Sequence, residues 1–399
     1  MTDTLYLSEL FRIIEGALRL DGAKVKNYAL LLAEKLEADG DKSSAKRLRR
    51  LLEEQGHQLR PARLEQQPAS PVDSESRFPL VQRQNIPESV AQFVFTERQE
   101  RVLHDYLAVV RAKAKLETEG VEAGTNLLLY GPPGCGKTHL AAYVAHELKL
   151  PMFVARLDGL ISSFLGSTAK NIRAVFEFAS RTPCVLLLDE FDAVAKLRDD
   201  HQELGELKRV VNSFIQNLDV LGRDLILIAA TNHEQLLDPA VWRRFQHLLY
   251  VGLPDLNQRE HLWELYSGDL GWSPKQLKVL ADLSDGFSGA SIQAVSTKLR
   301  QRVITHEQPP SLREAVTALL FMARGEASGK NPVDASVLDD LPKLTKLLQS
   351  RNSGIYSLAI VGELAGCSRA TMSRLSSAGR KRRSKANASR TPIHQSHTA

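Results

Sequence analysis

Cysteine is scarce in this chain. Only Cys135, Cys184 and Cys367 occur among 399 residues, an odd and scattered set without metal-ligand spacing. That excludes a disulfide framework and a zinc ribbon, and it fits a reducing, cytoplasmic setting. Long hydrophobic runs are also missing. The longest apolar stretches, such as 225–230, are strand-sized and far below the ~20 residues that cross a bilayer, so no membrane association is expected. The first twenty residues carry Glu9, Arg12, Glu15 and Arg19 among their hydrophobics, which is no secretory leader. His104, His139 and His201 form no ligand set, and no Ser-His-Asp or Cys-His arrangement emerges, so no peptidase activity is expected. Acidic residues are absent from position 364 onward, where eight Lys and Arg lie. The net charge is +5, so the rest of the chain stands at −3, and any polyanion contact belongs to the tail.

What is present is an ordinary globular composition, 43% hydrophobic and 25% charged, over a length that suggests two or three domains. Residues 1–55 predict a three-helix module. Leu7, Leu10, Phe11, Ile14 and Leu18 keep helical spacing, Val25, Tyr28, Ala29, Leu32 and Leu36 repeat it, and Leu48, Leu51 and Leu52 follow more weakly. Residues 56–86 are rich in Gln, Pro, Ser and Arg without apolar period, and read as a linker. Over 87–254, apolar strands at 126–130, 152–157, 185–188, 225–230 and 248–253 alternate with helix-length segments. That pattern predicts an α/β unit with a parallel sheet covered by helices on both faces. Residues 255–325 predict a small helical lid lobe, 326–340 a hinge, 341–376 a compact all-α piece and 377–399 a basic, disordered tail.

The first expected strand runs into Gly131-Pro132-Pro133-Gly134-Cys135-Gly136-Lys137-Thr138 and then an apolar helix. This is a P-loop in its required strand–loop–helix context. Glycines let backbone N–H groups converge on phosphate oxygens, and the helix N-terminus adds positive potential. In this reading Lys137 reaches the β/γ-phosphates of ATP and the Thr138 hydroxyl ligates Mg²⁺. Some fifty residues on, four apolar residues lead into Asp189-Glu190. Asp189 is placed to hold Mg²⁺ and Glu190 to polarise the attacking water. Asn232 follows the fourth expected strand, where it could bond that water or the γ-phosphate or simply serve a turn.

Together these residues resemble the protein-remodelling clade of AAA ATPases over roughly residues 87–325. The resemblance extends to Phe164-Leu165-Gly166 before Lys170-Asn171-Ile172-Arg173, similar to the family's first pore loop, which grips an extended polypeptide. Residues 198–206 resemble a second pore loop. The segment Leu237-Asp238-Pro239-Ala240-Val241-Trp242-Arg243-Arg244-Phe245 resembles the one bearing arginine fingers, which implies that Arg243 and Arg244 act on a neighbouring subunit's nucleotide in a ring, with a hexamer as family precedent. The sequence does not rank the two arginines. Gly286-Phe287-Ser288-Gly289-Ala290-Ser291 resembles the turn that packs against nucleotide, which implies contacts from Gly289 and Ala290. Stretches 155–163 and 195–212 resemble bacterial stand-alone AAA ATPases often paired with a subtilisin-like serine protease in plasmid maintenance or phage defence.

Residues 356–375 resemble a helix-turn-helix, with Gly366 at the turn and Ser368 as a cap. Arg369, Thr371, Ser373 and Arg374 would then face a DNA major groove, although such folds also bind protein. Two functions follow as expectations. One is a Mg²⁺-dependent ATPase ring that unfolds or remodels protein substrates, working with a separate protease; the other is a DNA-directed ATPase that uses the C-terminal module.

Overall fold

Alternation within each strand decides which way the sheet buries its side chains. The computed structural model describes residues 6–18, 21–54, 70–73, 76–87, 90, 93–157, 165–193, 213–220, 225–323 and 338–367. In β2 (Asn126–Tyr130), Leu127 and Leu129 enter one core while Leu128 enters the other. In β4 (Val185–Asp189) the same split separates Val185 and Leu187 from Leu186 and Leu188. This is the period-two geometry of a strand covered on both faces.

Among the described residues the sheet has six strands. β1 (Gln82–Gln84), β3 (Met152–Arg156), β5 (Ile226–Thr231) and β6 (His247–Tyr250) complete the order β1-β3-β4-β5-β2-β6. Only β1 runs antiparallel, at the edge beside β3. The other neighbours are parallel. One face is covered by α4 (Glu97–Thr118) and α5 (Lys137–Glu147), through Tyr106, Leu107, Leu140 and Val144. The other is covered by α6 (Leu165–Arg181), through Ile172, Val175 and Phe176, with Phe191 and Phe214 stacked edge-on. The five expected strands lie within one or two residues of their positions at most ends. β1 falls inside the stretch read as linker.

The chain divides into two compact units, Met1–Gly252 and Leu253–Ala399. The first also holds α1 (Leu7–Leu18), α2 (Gly22–Ala38) and α3 (Lys42–Glu54). The apolar face of α1 looks outward: Leu7, Leu10, Phe11, Ile14 and Leu18 are exposed, while Glu9 is buried. The reason is ionic, because Glu9 accepts from Lys35 at 2.8 Å and Glu15 from Lys24 at 3.0 Å, so the charged side of α1 lies against α2.

The second unit contains α7 (Leu256–Ser267), α8 (Pro274–Leu283), α9 (Gly289–His306), α10 (Leu312–Ala323), α11 (Leu341–Arg351) and α12 (Leu358–Leu364). Capping boxes start α7 and α8, at Asp255 with Gln258 and at Ser273 with Gln276. α11 and α12 share one core with the lid helices: Leu344, Leu348, Tyr356, Ile360, Val361 and Leu364 pack in the same cluster as Trp263, Leu280 and Leu319. Tyr356 Oη and Arg351 Nε both donate to Asp282 Oδ2, at 2.5 and 2.7 Å. The chain turns at Gly366, where the Cys367 N–H donates to Gly362 O at 2.7 Å. The second helix of the expected helix-turn-helix, with Arg369, Thr371, Ser373 and Arg374, lies outside the described residues. No helix among the described residues is long and apolar enough to cross a membrane.

Candidate active site

Three strand ends meet at one edge. β4, β5 and β2 are adjacent and parallel, so the chain leaves them side by side at Glu190, Asn232 and Gly131. This carboxyl edge is where open α/β sheets bind ligands. Gly131 has φ of +137°, and a Cβ there would meet the Val251 carbonyl oxygen at 2.4 Å. Only glycine permits that turn. Gly136, also at positive φ, caps α5 without a side chain, which leaves the first N–H groups of the helix open to an anion.

Lys137 is buried, and its Nζ donates to the carbonyls of Gly131 and Pro132 at 2.7 Å each. Burial lowers the Lys137 ammonium below the usual lysine range, and nearby Cys135 and Asp189 partly offset this. Thr138 Oγ1 donates to Asp189 Oδ2 at 3.3 Å, a contact from the first turn of α5 to the end of β4. Asp189 Oδ1 accepts the Glu190 backbone N–H at 3.0 Å. Glu190 itself has φ of +55°, a strained conformation for a residue with a Cβ, of the kind concentrated at functional sites. The Phe191 N–H donates to Ala230 O at 2.9 Å, which pins the chain to β5 just after the strained residue. Asn232 is half-buried. Its neighbour Thr231 donates to Asp192 Oδ1 at 3.3 Å, so the strand end is anchored and Asn232 is held level with the P-loop.

Two parts of this edge escaped sequence reading. Arg156, last in β3, reaches Glu190 Oε1 with Nη2 at 3.3 Å. It is registered against Asp189, a proximity set by strand order. Ahead of α4, Phe93 stacks on Phe95 and Phe95 on Tyr143 of α5, while Phe93 lies close over Gly136. Beside them a cavity of about 300 Å³ opens between Asn85, Pro87, Val90, Thr138 and His139. The available signal was the Thr96–Gln99 capping box, which fixes where that loop meets α4.

The two arginines differ sharply. Asn126 Nδ2, at the start of β2, donates to Arg244 O at 3.2 Å. Both arginines therefore sit at the opposite end of β2 from the P-loop, a strand length of roughly 16 Å away. Arg244 is committed within the unit: Nε and Nη2 pair with the Asp219 carboxylate at 3.1 and 3.2 Å, and Nη1 donates to Ala240 O at 2.9 Å. Those bonds to Asp219 raise its already high pKa. The Arg243 side chain is exposed and makes no hydrogen bond or ion pair among the described residues.

Other expected site residues belong to other elements. Gly289 and Ala290 open α9 in the second unit, where Ser288 caps the helix by accepting the Ser291 N–H. Leu165 and Gly166 begin α6. Phe164 and residues 198–206 are outside the described residues.

Residues 127–253 match the family described as "ATPase family associated with various cellular activities (AAA)". An uncharacterized AAA family ATPase, y4kL of Sinorhizobium fredii, is 40% identical over 228 residues, which cover 57% of this chain and 69% of that protein. The chain belongs to the AAA ATPase family. This AAA ATPase hydrolyses ATP, on a mixed α/β fold. A proteasome-activating nucleotidase of Methanothermobacter thermautotrophicus is 31% identical over 274 residues, 65% of this chain and 66% of that one. The ATP-dependent zinc metalloprotease FtsH of Veillonella parvula is 30% identical over 257 residues, 61% of this chain but only 40% of its own length. Thus the AAA ATPase spans about two thirds or less of both named protein-processing relatives.

Proposed function

We propose that the chain is a Mg²⁺-dependent motor that works as a ring and remodels or unfolds protein. The observation that carries this reading is the placement of Arg243, exposed and without a side-chain partner among the described residues, at the far end of β2 from its own P-loop. A guanidinium there lies a strand length from its own P-loop and is open to another copy's nucleotide, and the task that fits a copy-to-copy site is a coupled ring.

Residue chemistry supports the nucleotide step. Backbone N–H groups of residues 134–138 and the Lys137 ammonium hold the β/γ-phosphates of ATP. The Thr138 hydroxyl and the Asp189 carboxylate, 3.3 Å apart, are two hard oxygen donors, the kind of partial set Mg²⁺ takes up alongside phosphate and water oxygens. When bound there, the ion neutralises charge on the phosphate oxygens. Glu190 takes a proton from the attacking water, Asn232 orients that water, and the neighbour's Arg243 stabilises charge on the transferring phosphoryl group. Arg244 is the positioning residue: its bonds to Asp219 and Ala240 fix the turn from which Arg243 projects. Gly289 and Ala290 are offered as nucleotide contacts from the lid.

For the substrate, the names of the relatives, a proteasome-activating nucleotidase and an ATP-dependent metalloprotease, support a protein. Phe164, Leu165 and Gly166 then supply a sequence-tolerant grip on an extended chain, and a separate protease, subtilisin-like by the sequence resemblance, is the expected recipient. The hexamer and a role in plasmid maintenance or phage defence belong to the same proposal. The test is steady-state hydrolysis measured across enzyme concentration, with an unfolded protein and with duplex DNA. A steep rise with concentration and stimulation by unfolded protein support the motor. Stimulation by DNA alone replaces it with the DNA-directed reading through Arg369, Thr371, Ser373 and Arg374.

A further inference from the structure

The outward face of α1 needs a partner. Five apolar side chains, Leu7, Leu10, Phe11, Ile14 and Leu18, run along one side of the helix over roughly 16 Å, and exposure reaches 53% at Ile14 and 81% at Leu18. Their orientation is fixed from beneath. Glu9 and Lys24, each 4% exposed, are ion-paired to Lys35 and Glu15, so rotating the stripe inward would strand buried charges. Gly16 sits against Val25, where even a methyl group would meet it at 3.0 Å, which locks α1 against α2 at that crossing. A contiguous apolar stripe held outward in this way marks an interaction surface.

The same face leads to Arg243. Leu7 and Phe11 line one cavity with Val110 of α4, Asp219, Arg243 and Arg244. Its volume is about 1620 Å³, larger than the ~300–1,000 Å³ usual for small-molecule sites and suited to a protein segment. We propose that a second copy of this chain enters this groove and covers the α1 stripe, so that the N-terminal helices are part of the subunit interface that delivers Arg243. The inference rests on the reading that Arg243 acts on a neighbour. A copy that presents its nucleotide to Arg243 must approach the wall the arginine occupies, and the stripe is continuous with that wall. A heterologous, head-to-tail arrangement, the kind that closes into a ring, satisfies this; the apolar area is what supplies affinity.

The test uses the full chain carrying Ile14→Glu and Leu18→Glu together, at positions exposed enough to leave folding intact, as circular dichroism would verify. ATP hydrolysis and particle mass are followed across enzyme concentration. The expected result is a rise of about tenfold or more in the concentration giving half-maximal hydrolysis, with the limiting rate at high concentration retained and assemblies lost at low concentration. Wild-type concentration dependence in this variant overturns the inference. So does a selective loss of stimulation by an unfolded protein with assembly unchanged, which would assign the stripe to substrate. Arg243→Ala separates this from the underlying reading: it should lower the limiting rate without moving the half-maximal concentration, and full activity in that variant would defeat the neighbour-site reading itself.

Discussion

The sheet and the first helix use the same kind of sequence signal to opposite ends. In β2 and β4 every leucine is buried, split between two cores according to the strand period. In α1 the apolar residues keep an equally regular helical period and lie on the surface. Periodicity therefore states that one face is apolar and does not state what covers it. In the sheet, helices of the same unit cover the apolar faces. In α1, ion pairs with α2 take the inner side, and the apolar side is left for another molecule.

Four measurements test that contrast. The largest effect belongs to the catalytic edge: Glu190→Gln should lower hydrolysis by about 10²- to 10⁴-fold while nucleotide binding and thermal stability stay near wild type. Activity above a tenth of wild type would remove Glu190 from its assigned role. Next, Phe176→Ala in the sheet core should cost about 3–5 kcal/mol in urea unfolding, whereas Phe11→Ala on α1 should stay within about 0.5 kcal/mol at concentrations where the protein is monomeric. Equal costs would mean that α1 is packed as a core helix. A smaller loss, about 1–3 kcal/mol, is expected for Glu9→Gln, which leaves Lys35 without its charged partner, and amide exchange should locate that loss in α1 and α2. The smallest effect concerns pH. Hydrogen bonds from Ser44 and Ser43 hold the Asp41 carboxyl down to about 2, below its unfolded value. The cap on α3 therefore contributes fully above about pH 4 and fades as pH falls toward 2. Asp41→Asn should flatten the loss of α3 protection over that window, and an unchanged profile would show that the cap is not what titrates.

Much of the candidate site was legible because its chemistry is local. Gly131 to Thr138 must be contiguous to wrap a phosphate, and Asp189-Glu190 announces itself as two acids at the end of an apolar strand. Features set by tertiary neighbours were not legible. Arg156 meets Glu190 because β3 lies beside β4, which no spacing reveals. β1 is Gln82-Arg83-Gln84, three exposed polar residues whose pairing with β3 leaves no apolar alternation, so it read as linker. The inequality of Arg243 and Arg244 depends on Asp219, more than twenty residues upstream. Likewise, α11 and α12 have the composition of a separate helical piece, yet Tyr356 and Arg351 converge on Asp282 and place both helices in the lid's core.

In the proposed ring a neighbour's Arg243 completes each ATP site. The most direct measurement mixes two inactive variants. Arg243→Ala keeps Glu190 but has no arginine to give, and Glu190→Gln keeps Arg243 but cannot hydrolyse at its own site. Each alone should be nearly inactive, and mixing them should restore hydrolysis, because an Arg243→Ala subunit beside a Glu190→Gln subunit receives a complete site. Activity in the mixture no greater than the sum of the two, or full activity of Arg243→Ala by itself, would contradict it.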